Sequence, residues 1–430
     1  MESCFGKKME LMNKQYYILF FIWIVGINVR AQVERWEMKF HLNDSVDAVF
    51  DVLLEHSDEG NMGLTIENGG ELIYLNQTEG QEFPGFLFPY FESKIEWNPG
   101  DKGDMAWKGW FVKKGGRPVY FDAQRMANVT LEDFEKEASI SSEQFISEGP
   151  IPMRQKVTFE PGTPEAYQAI GMFRLYGGGK CTGTFLTETG DYRFLKGTWD
   201  FNHIQLQCLD GAHLFCFTAD VAHEEGAFYN GRFYSGNTYS EKWEGEESAD
   251  FQLRDPDHLV HLKKGHEQEV FSFQAMDLQG NMKTFGAEDW KGKLSIIQLM
   301  GTWCPNCTDE GKVMAAMHKK YEARGLQIIP VAFERSDEIA ENKRMIQKQM
   351  AQLNCGYEAY VGRAEGKGKE RAQNVFPQLE KVMAFPTMIV VNSEGKVIHI
   401  HTGFNGPATG QYHTKEILQL EKVIQQGLPK

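Results

Sequence analysis

The sequence predicts a two-part chain, an all-β antiparallel N-terminal domain (a sandwich or a lipocalin-like barrel) followed by an α/β C-terminal domain. Three observations carry this. At 430 residues the chain is too long for one typical domain. Over residues 32–247 short apolar/polar alternations recur between glycine-containing turns, the period-2 signature of half-buried strands. From residue 269 onward continuous apolar runs alternate with segments of helical period, and Cys304-Pro-Asn-Cys307 stands where one such run passes into a helix. Between the two parts, 248–268 reads as a linker, since Asp255-Pro-Asp-His258 and Lys263-Lys-Gly-His266 break the alternation.

The elements follow in order. Residues 1–31 carry Lys7, Lys8 and Lys14, then an apolar run from Tyr16 to Ile27, then Val29-Arg-Ala31 with small residues at −3 and −1. That is the pattern of a secretory signal peptide, with retention as an inner-membrane anchor as the alternative. The expected location is therefore periplasmic or secreted. In the β domain, Glu71–Leu75, Met105–Val112, Lys156–Phe159 and Thr184–Thr187 read as strands. Asp210-Gly211 reads as a two-residue hairpin turn that sets Cys208 opposite His213 and Cys216 opposite Gln205, on different faces. Asp191, Tyr192, Arg193 and His213 could line a pocket, but turn chemistry and ion pairing account for them more simply.

In the C-terminal domain Leu294–Met300 reads as a buried parallel strand, and Val313, Met314, Met317 and Tyr321 mark an amphipathic helix behind the dithiol. Pro305 suits the first helical turn, which puts Cys304 at the helix N-terminus. There the unpaired N–H groups and the macrodipole favour a thiolate, so Cys304 is the expected attacking sulfur and Cys307 the resolving one. Glu310 shares the core stripe with Met314, Met317 and Tyr321, where desolvation should raise its pKa and let it exchange a proton with Cys307. Asp309 reads as an ordinary charge at the helix N-terminus. Leu326–Phe333 is a second apolar strand, 337–353 a polar-rich helix, 389–400 two strands around a turn, and 413–426 a closing helix. Pro386 opens the strand that begins near Met388.

Half of a zinc site is the other reading of a Cys-x-x-Cys. It needs a second ligand pair, and none stands at the usual spacing: His318 is alone, and His399 and His401 fall on a strand-like run. No metal and no cofactor are expected.

Taken together, Gln298-Leu-Met-Gly-Thr-Trp-Cys-Pro-Asn-Cys307, Glu310, Phe385-Pro-Thr387 and Gly395-Lys-Val397 resemble the TlpA/ResA-type thiol–disulfide oxidoreductases of the thioredoxin superfamily, over residues 266–430. The resemblance implies a thioredoxin-like fold for 269–430, with Cys304, Cys307, Glu310 and Pro386 as catalytic residues. It also implies a cis Pro386 packed against the dithiol, with Trp303, Phe385 and Thr387 contacting an extended substrate. Disulfide-containing protein substrates and a membrane electron donor are the partners it implies. Gln298 departs from the family's more uniformly apolar strand. Phe404 and Tyr412, in the Gly-rich loop 402–412, could also lie near substrate, although turn chemistry explains them equally. The Gly183–Gly197 run and the hairpin after it resemble the N-terminal extension of some secreted TlpA-like proteins, which supplies no chemistry.

Cysteine usage and charge complete the reading. Cys4 falls in the signal segment, and Cys181, Cys208, Cys216 and Cys355 remain beside the dithiol. Buried free thiols are expected for the β-domain cysteines, with a bond from Cys181 to Cys208 or Cys216 left open. The net charge of −15, about −17 without residues 1–31, excludes nucleic acid as a partner. A peroxiredoxin-like peroxidase fits poorly, because Thr302 precedes Cys304 by two rather than three and 297–299 holds no proline. The expected function is an extracytoplasmic thiol–disulfide oxidoreductase that reduces partner proteins. The alternative is a binding or sensor protein whose β domain captures a ligand or partner while the dithiol serves as a redox tether.

Overall fold

In the computed structural model the described residues are 32–429 apart from 58–59, 79–84, 100–104, 131–133, 135–150, 223 and 225; the signal segment read at 1–31 lies outside them. The period-2 alternation of the N-terminal region turns one face of each strand inward, and the strands close on themselves twice. The first barrel comprises β1 (Gln32–His41), β2 (Asp47–His56), β3 (Met62–Asn68), β4 (Glu71–Gln77), β5 (Gly85–Leu87), β6 (Ser93–Pro99), β7 (Ala106–Lys113) and β8 (Val119–Val129). They pair in chain order, and β1 pairs back with β8, leaving no open edge. Trp36, Phe40, Phe86 and Phe121 fill its interior.

The second barrel comprises β9 (Ile151–Phe159), β10 (Tyr167–Tyr176), β11 (Lys180–Thr187), β12 (Gly190–Asp191), β13 (Leu195–Trp199), β14 (His203–Leu209), β15 (Leu214–Ala222), β16 (Ala227–Ser235) and β17 (Tyr239–Glu247). Eight of these close through the β17–β9 and β10–β11 pairs, and the short β12 attaches to β11. Phe159, Phe173, Phe185, Phe217 and Trp243 form its core. The barrel alternative therefore holds, twice over.

One register differs from expectation. The β14–β15 loop has four residues, so Cys208 faces Phe215 and Cys216 faces Gln207. The Asp210 carboxylate accepts the backbone N–H groups of Ala212 (2.9 Å) and His213 (2.7 Å), which holds the wider turn. A two-residue shift preserves the faces. Cys208 stays in the second core, Cys216 packs with the first, and both are free, as are Cys181 and Cys355.

The C-terminal sheet runs β19-β18-β22-β21-β20-β23-β24, with β18 (Phe273–Met276), β19 (Met282–Phe285), β20 (Leu294–Met300), β21 (Leu326–Ala332), β22 (Tyr360–Val361), β23 (Thr387–Val391) and β24 (Val397–Thr402). Its helices are α1 (Ala287–Trp290), α2 (Pro305–Tyr321), α3 (Ile339–Gln352), α4 (Gly368–Val375) and α5 (Gln411–Gly427). Strand β20 is buried on both faces, parallel to β21 and antiparallel to β23, which explains its predominantly apolar character. Leu294 and Ile296 pack with Met314, Met317, Leu420 and Ile424; Ile297 and Leu299 pack on the other side with Phe273, Phe285 and Trp290.

The three units are tied together. Asn68 exchanges two 3.0 Å hydrogen bonds with the Leu209 backbone, joining the barrels. The first barrel reaches α3 through Glu92–Arg344 and Lys114–Glu341. The segment read as a linker lies against the C-terminal domain, with Leu259 and Val260 buried in its core. Among the described residues no helix is long and apolar enough to cross a membrane.

Candidate active site

Strand β20 delivers the chain into a turn that is tied to the end of β21. The Thr302 N–H and hydroxyl both donate to the Glu334 carboxylate, at 2.8 and 2.7 Å, and the Trp303 indole N–H donates to the Phe333 carbonyl at 3.1 Å. Cys304 then caps α2, its sulfur accepting the Cys307 N–H at 3.2 Å, and Pro305 takes the first helical position. Cys304 and Cys307 are joined as a disulfide with Cα atoms 5.2 Å apart. Cys304 is 6% exposed and Cys307 only 1%, so Cys304 is the sulfur nearer solvent.

The loop before β23 comes up beside it. The Cys304 sulfur lies 3.6 Å from the Phe385 carbonyl oxygen, and the Phe385–Pro386 bond is cis. The Trp303 ring meets Phe385 edge-on at 5.9 Å, and the Arg335 guanidinium lies over Trp303 at 4.5 Å. Thr387 is fully buried. Its hydroxyl is used inside the protein, 2.9 Å from the Ala384 carbonyl and 2.6 Å from the Thr402 hydroxyl. Trp303, Phe385 and Pro386 are thus gathered at Cys304, while the Thr387 side chain points inward.

Glu310 lies beneath the dithiol, 1% exposed. Burial pushes its pKa up to about 8 against the partial opposition of Gln298. The Gln298 amide donates to the Glu310 carboxylate at 2.7 Å and to the Cys307 carbonyl at 3.3 Å. The polar residue that interrupts the apolar strand therefore links the carboxyl to the second cysteine.

The second barrel supplies a wall that sequence spacing did not reveal. A Cβ on Gly190 would collide with the Asn306 side-chain nitrogen, so the β12 corner sits directly on the dithiol turn. The Asp191 carboxylate accepts the N–H of Gly406 at 2.7 Å and that of Arg193 at 3.0 Å, which holds Arg193 at φ 67°. The buried Arg193 side chain pairs with Asp309 on α2, with Asp210 (3.2 Å) and with Glu71 of the first barrel (3.6 Å). Burial alone would raise the Asp309 pKa, but the Arg193 and Lys312 charges outweigh it and hold the carboxyl well below the usual range.

Tyr192 packs at the second barrel with its hydroxyl 2.8 Å from that of Tyr167 and lines, with Asp191, the cleft beside Asn306, while the His213 ring stacks on Phe215 outside that lining. Phe404 is buried, and its carbonyl accepts from Asn306 at 3.3 Å; the Tyr412 hydroxyl faces Arg154 at 3.5 Å. A cleft of about 620 Å³ opens beside this joint, lined by Tyr167, Thr187, Asp191, Arg254 and Asn306 among others.

Comparison with known proteins finds relatives for this part of the chain. Residues 267–400 match the AhpC/TSA family. Thiol-disulfide oxidoreductase ResA of Bacillus subtilis (strain 168) is 26% identical over 123 residues, 29% of this chain and 60% of that protein. ResA of Bacillus thuringiensis subsp. konkukian is 29% identical over 131 residues, 30% of this chain and 66% of that protein. The chain therefore spans 60% and 66% of the length of these curated relatives. A solved thiol:disulfide interchange protein of the thioredoxin family from Chlorobium tepidum TLS aligns over 35% of this chain and 94% of its own, at 22% identity and a TM-score of 0.26. Through residues 267–400 the chain is thus similar to the AhpC/TSA family and to thiol-disulfide oxidoreductases of the ResA type.

Proposed function

We propose that the protein is an extracytoplasmic thiol–disulfide oxidoreductase that reduces disulfides in partner proteins. The observation that carries this is the Cys304–Cys307 pair at the N-terminus of α2, with a desolvated Glu310 below it and the Phe385-Pro386 backbone alongside. In the reduced protein the Cys304 thiolate attacks one sulfur of a substrate disulfide. That S–S bond breaks, a mixed disulfide forms, and the departing substrate thiolate takes up a proton. Glu310 in its ionised form accepts the Cys307 proton, and the Cys307 thiolate attacks the Cys304 sulfur. The second substrate thiolate leaves and is protonated, so substrate gains two electrons and the dithiol becomes the disulfide.

Trp303, Phe385 and the backbone around Pro386 form the surface on which an extended substrate is held. Thr387 supports that loop from within. A membrane electron donor restores the dithiol, and a signal peptide at 1–31 delivers the chain to the periplasm or beyond. The working division is 32–247, 248–268 and 269–430.

A second reading draws on the cleft between the second barrel and Asn306. In it the β region captures a ligand or partner, and the dithiol is a redox tether. Cys304→Ser separates the two. Under the first reading it abolishes reduction of a protein disulfide such as that of insulin. If reduction survives, the oxidoreductase reading fails.

A further inference from the structure

We propose a divalent transition-metal site, suited to zinc, formed by Asp257, His399 and His401 at the joint between the interdomain segment and the last strand. His399 and His401 are two apart on β24, so both imidazoles leave the same face of the strand. Asp257 comes from the short turn Pro256–His258, which packs on that face. The Asp257 Oδ1 lies 2.6 Å from His401 Nδ1 and 3.4 Å from His399 Nε2, and the three ligand atoms fall within 4.8 Å of one another. Two nitrogens and one carboxylate oxygen make a donor set for a borderline ion rather than for magnesium or calcium.

The surroundings add a second, independent feature. His401 Nε2, the nitrogen facing away from Asp257, lies 3.1 Å from the Glu416 carboxylate on α5, and Gln419 donates to the other Asp257 oxygen at 3.3 Å. A carboxylate behind the far nitrogen of a histidine, and a donor behind a carboxylate, are the supports that orient metal ligands. An ion pair between His401 and its two carboxylates would explain that histidine alone. It leaves unexplained why His399 brings another imidazole nitrogen to the same oxygen.

His399 and Asp257 are only partly buried, at 15% and 18% side-chain exposure, so an ion has an entry path and a water can complete the coordination. Spacing in the sequence could not show this set, because its third ligand stands far upstream of the histidine pair. A bound ion would staple the interdomain segment to β24.

The test is cobalt(II) and zinc(II) titration of the full chain with the dithiol oxidised, which removes the two thiolates as competing ligands. Expected are one ion per chain, a visible cobalt spectrum of low coordination number, and a zinc-dependent rise in Tm. His399→Ala, chosen because it spares the His401–Glu416 contact, should weaken binding at least 10-fold and cancel the Tm rise while leaving the metal-free Tm nearly unchanged. No stoichiometric binding by the wild type, or undiminished binding by both His399→Ala and Asp257→Asn, overturns the site.

Discussion

At the scale of single residues the proposed chemistry rests on Cys304, Cys307 and Glu310, and the last two make separable predictions. Cys307→Ser should accumulate a mixed disulfide between Cys304 and substrate, seen as a covalent adduct by mass spectrometry, because the resolving sulfur is gone. Glu310→Gln should slow resolution by roughly 10- to 100-fold and flatten the pH–rate profile, which in the wild type should inflect near the raised Glu310 pKa of about 8. The same residue sets a stability trend. An unfolded glutamate titrates near 4.5 and the buried one near 8, so between these values only the folded protein keeps the proton. Stability should fall as pH rises through that window, and Glu310→Gln should reduce the slope in denaturation series, with the raised His401 supplying part of what remains. This residue was legible in the sequence because helical period places it on the Met314–Met317 stripe. Gln298 was visible only as an irregularity, since its partners lie on a different element.

At the scale of elements, what the sequence displayed and what it concealed divide along local and non-local lines. Strand β20, helix α2 and the strand pair β23–β24 follow from apolar period and turn residues alone. The closure of the N-terminal strands into two barrels does not, because alternation says which face is buried but not which strand returns to pair with the first. The β14–β15 turn is two residues wider than Asp-Gly predicts, since the side chain of Asp210, rather than the Asp-Gly backbone preference, sets its width. Arg193 sits in a short Gly-Asp-Tyr-Arg corner whose meaning depends on Asp309, far along the chain. Arg193→Met would leave Asp309, Asp210 and Glu71 buried without their shared cation. A cost of about 3–5 kcal/mol is expected, measurable by urea denaturation.

At the scale of the whole molecule, the barrels are joined to the redox domain by Arg193–Asp309, by Asp191 on Gly406 and by Glu92–Arg344, rather than strung beside it. The second barrel covers the Asn306 side of the dithiol turn, and under the proposed function the opposite side, at Trp303 and Phe385, is the approach to Cys304. A single cooperative melting transition is expected for the wild type. Arg193→Met should separate a barrel transition from that of the C-terminal domain in calorimetry. One unchanged transition would mean that the joint contributes little to the coupling.

The proposed function requires that Cys304 and Cys307 cycle as a reducing dithiol. It is tested most directly by the redox equilibrium of the pair in the full chain, followed by thiol trapping and mass spectrometry across a dithiothreitol series. A potential near that of thioredoxin, about −270 mV, is the predicted result and makes the protein a reductase in need of a donor. A potential above roughly −180 mV would contradict the reducing direction, and a pair that does not cycle would rule out the oxidoreductase function.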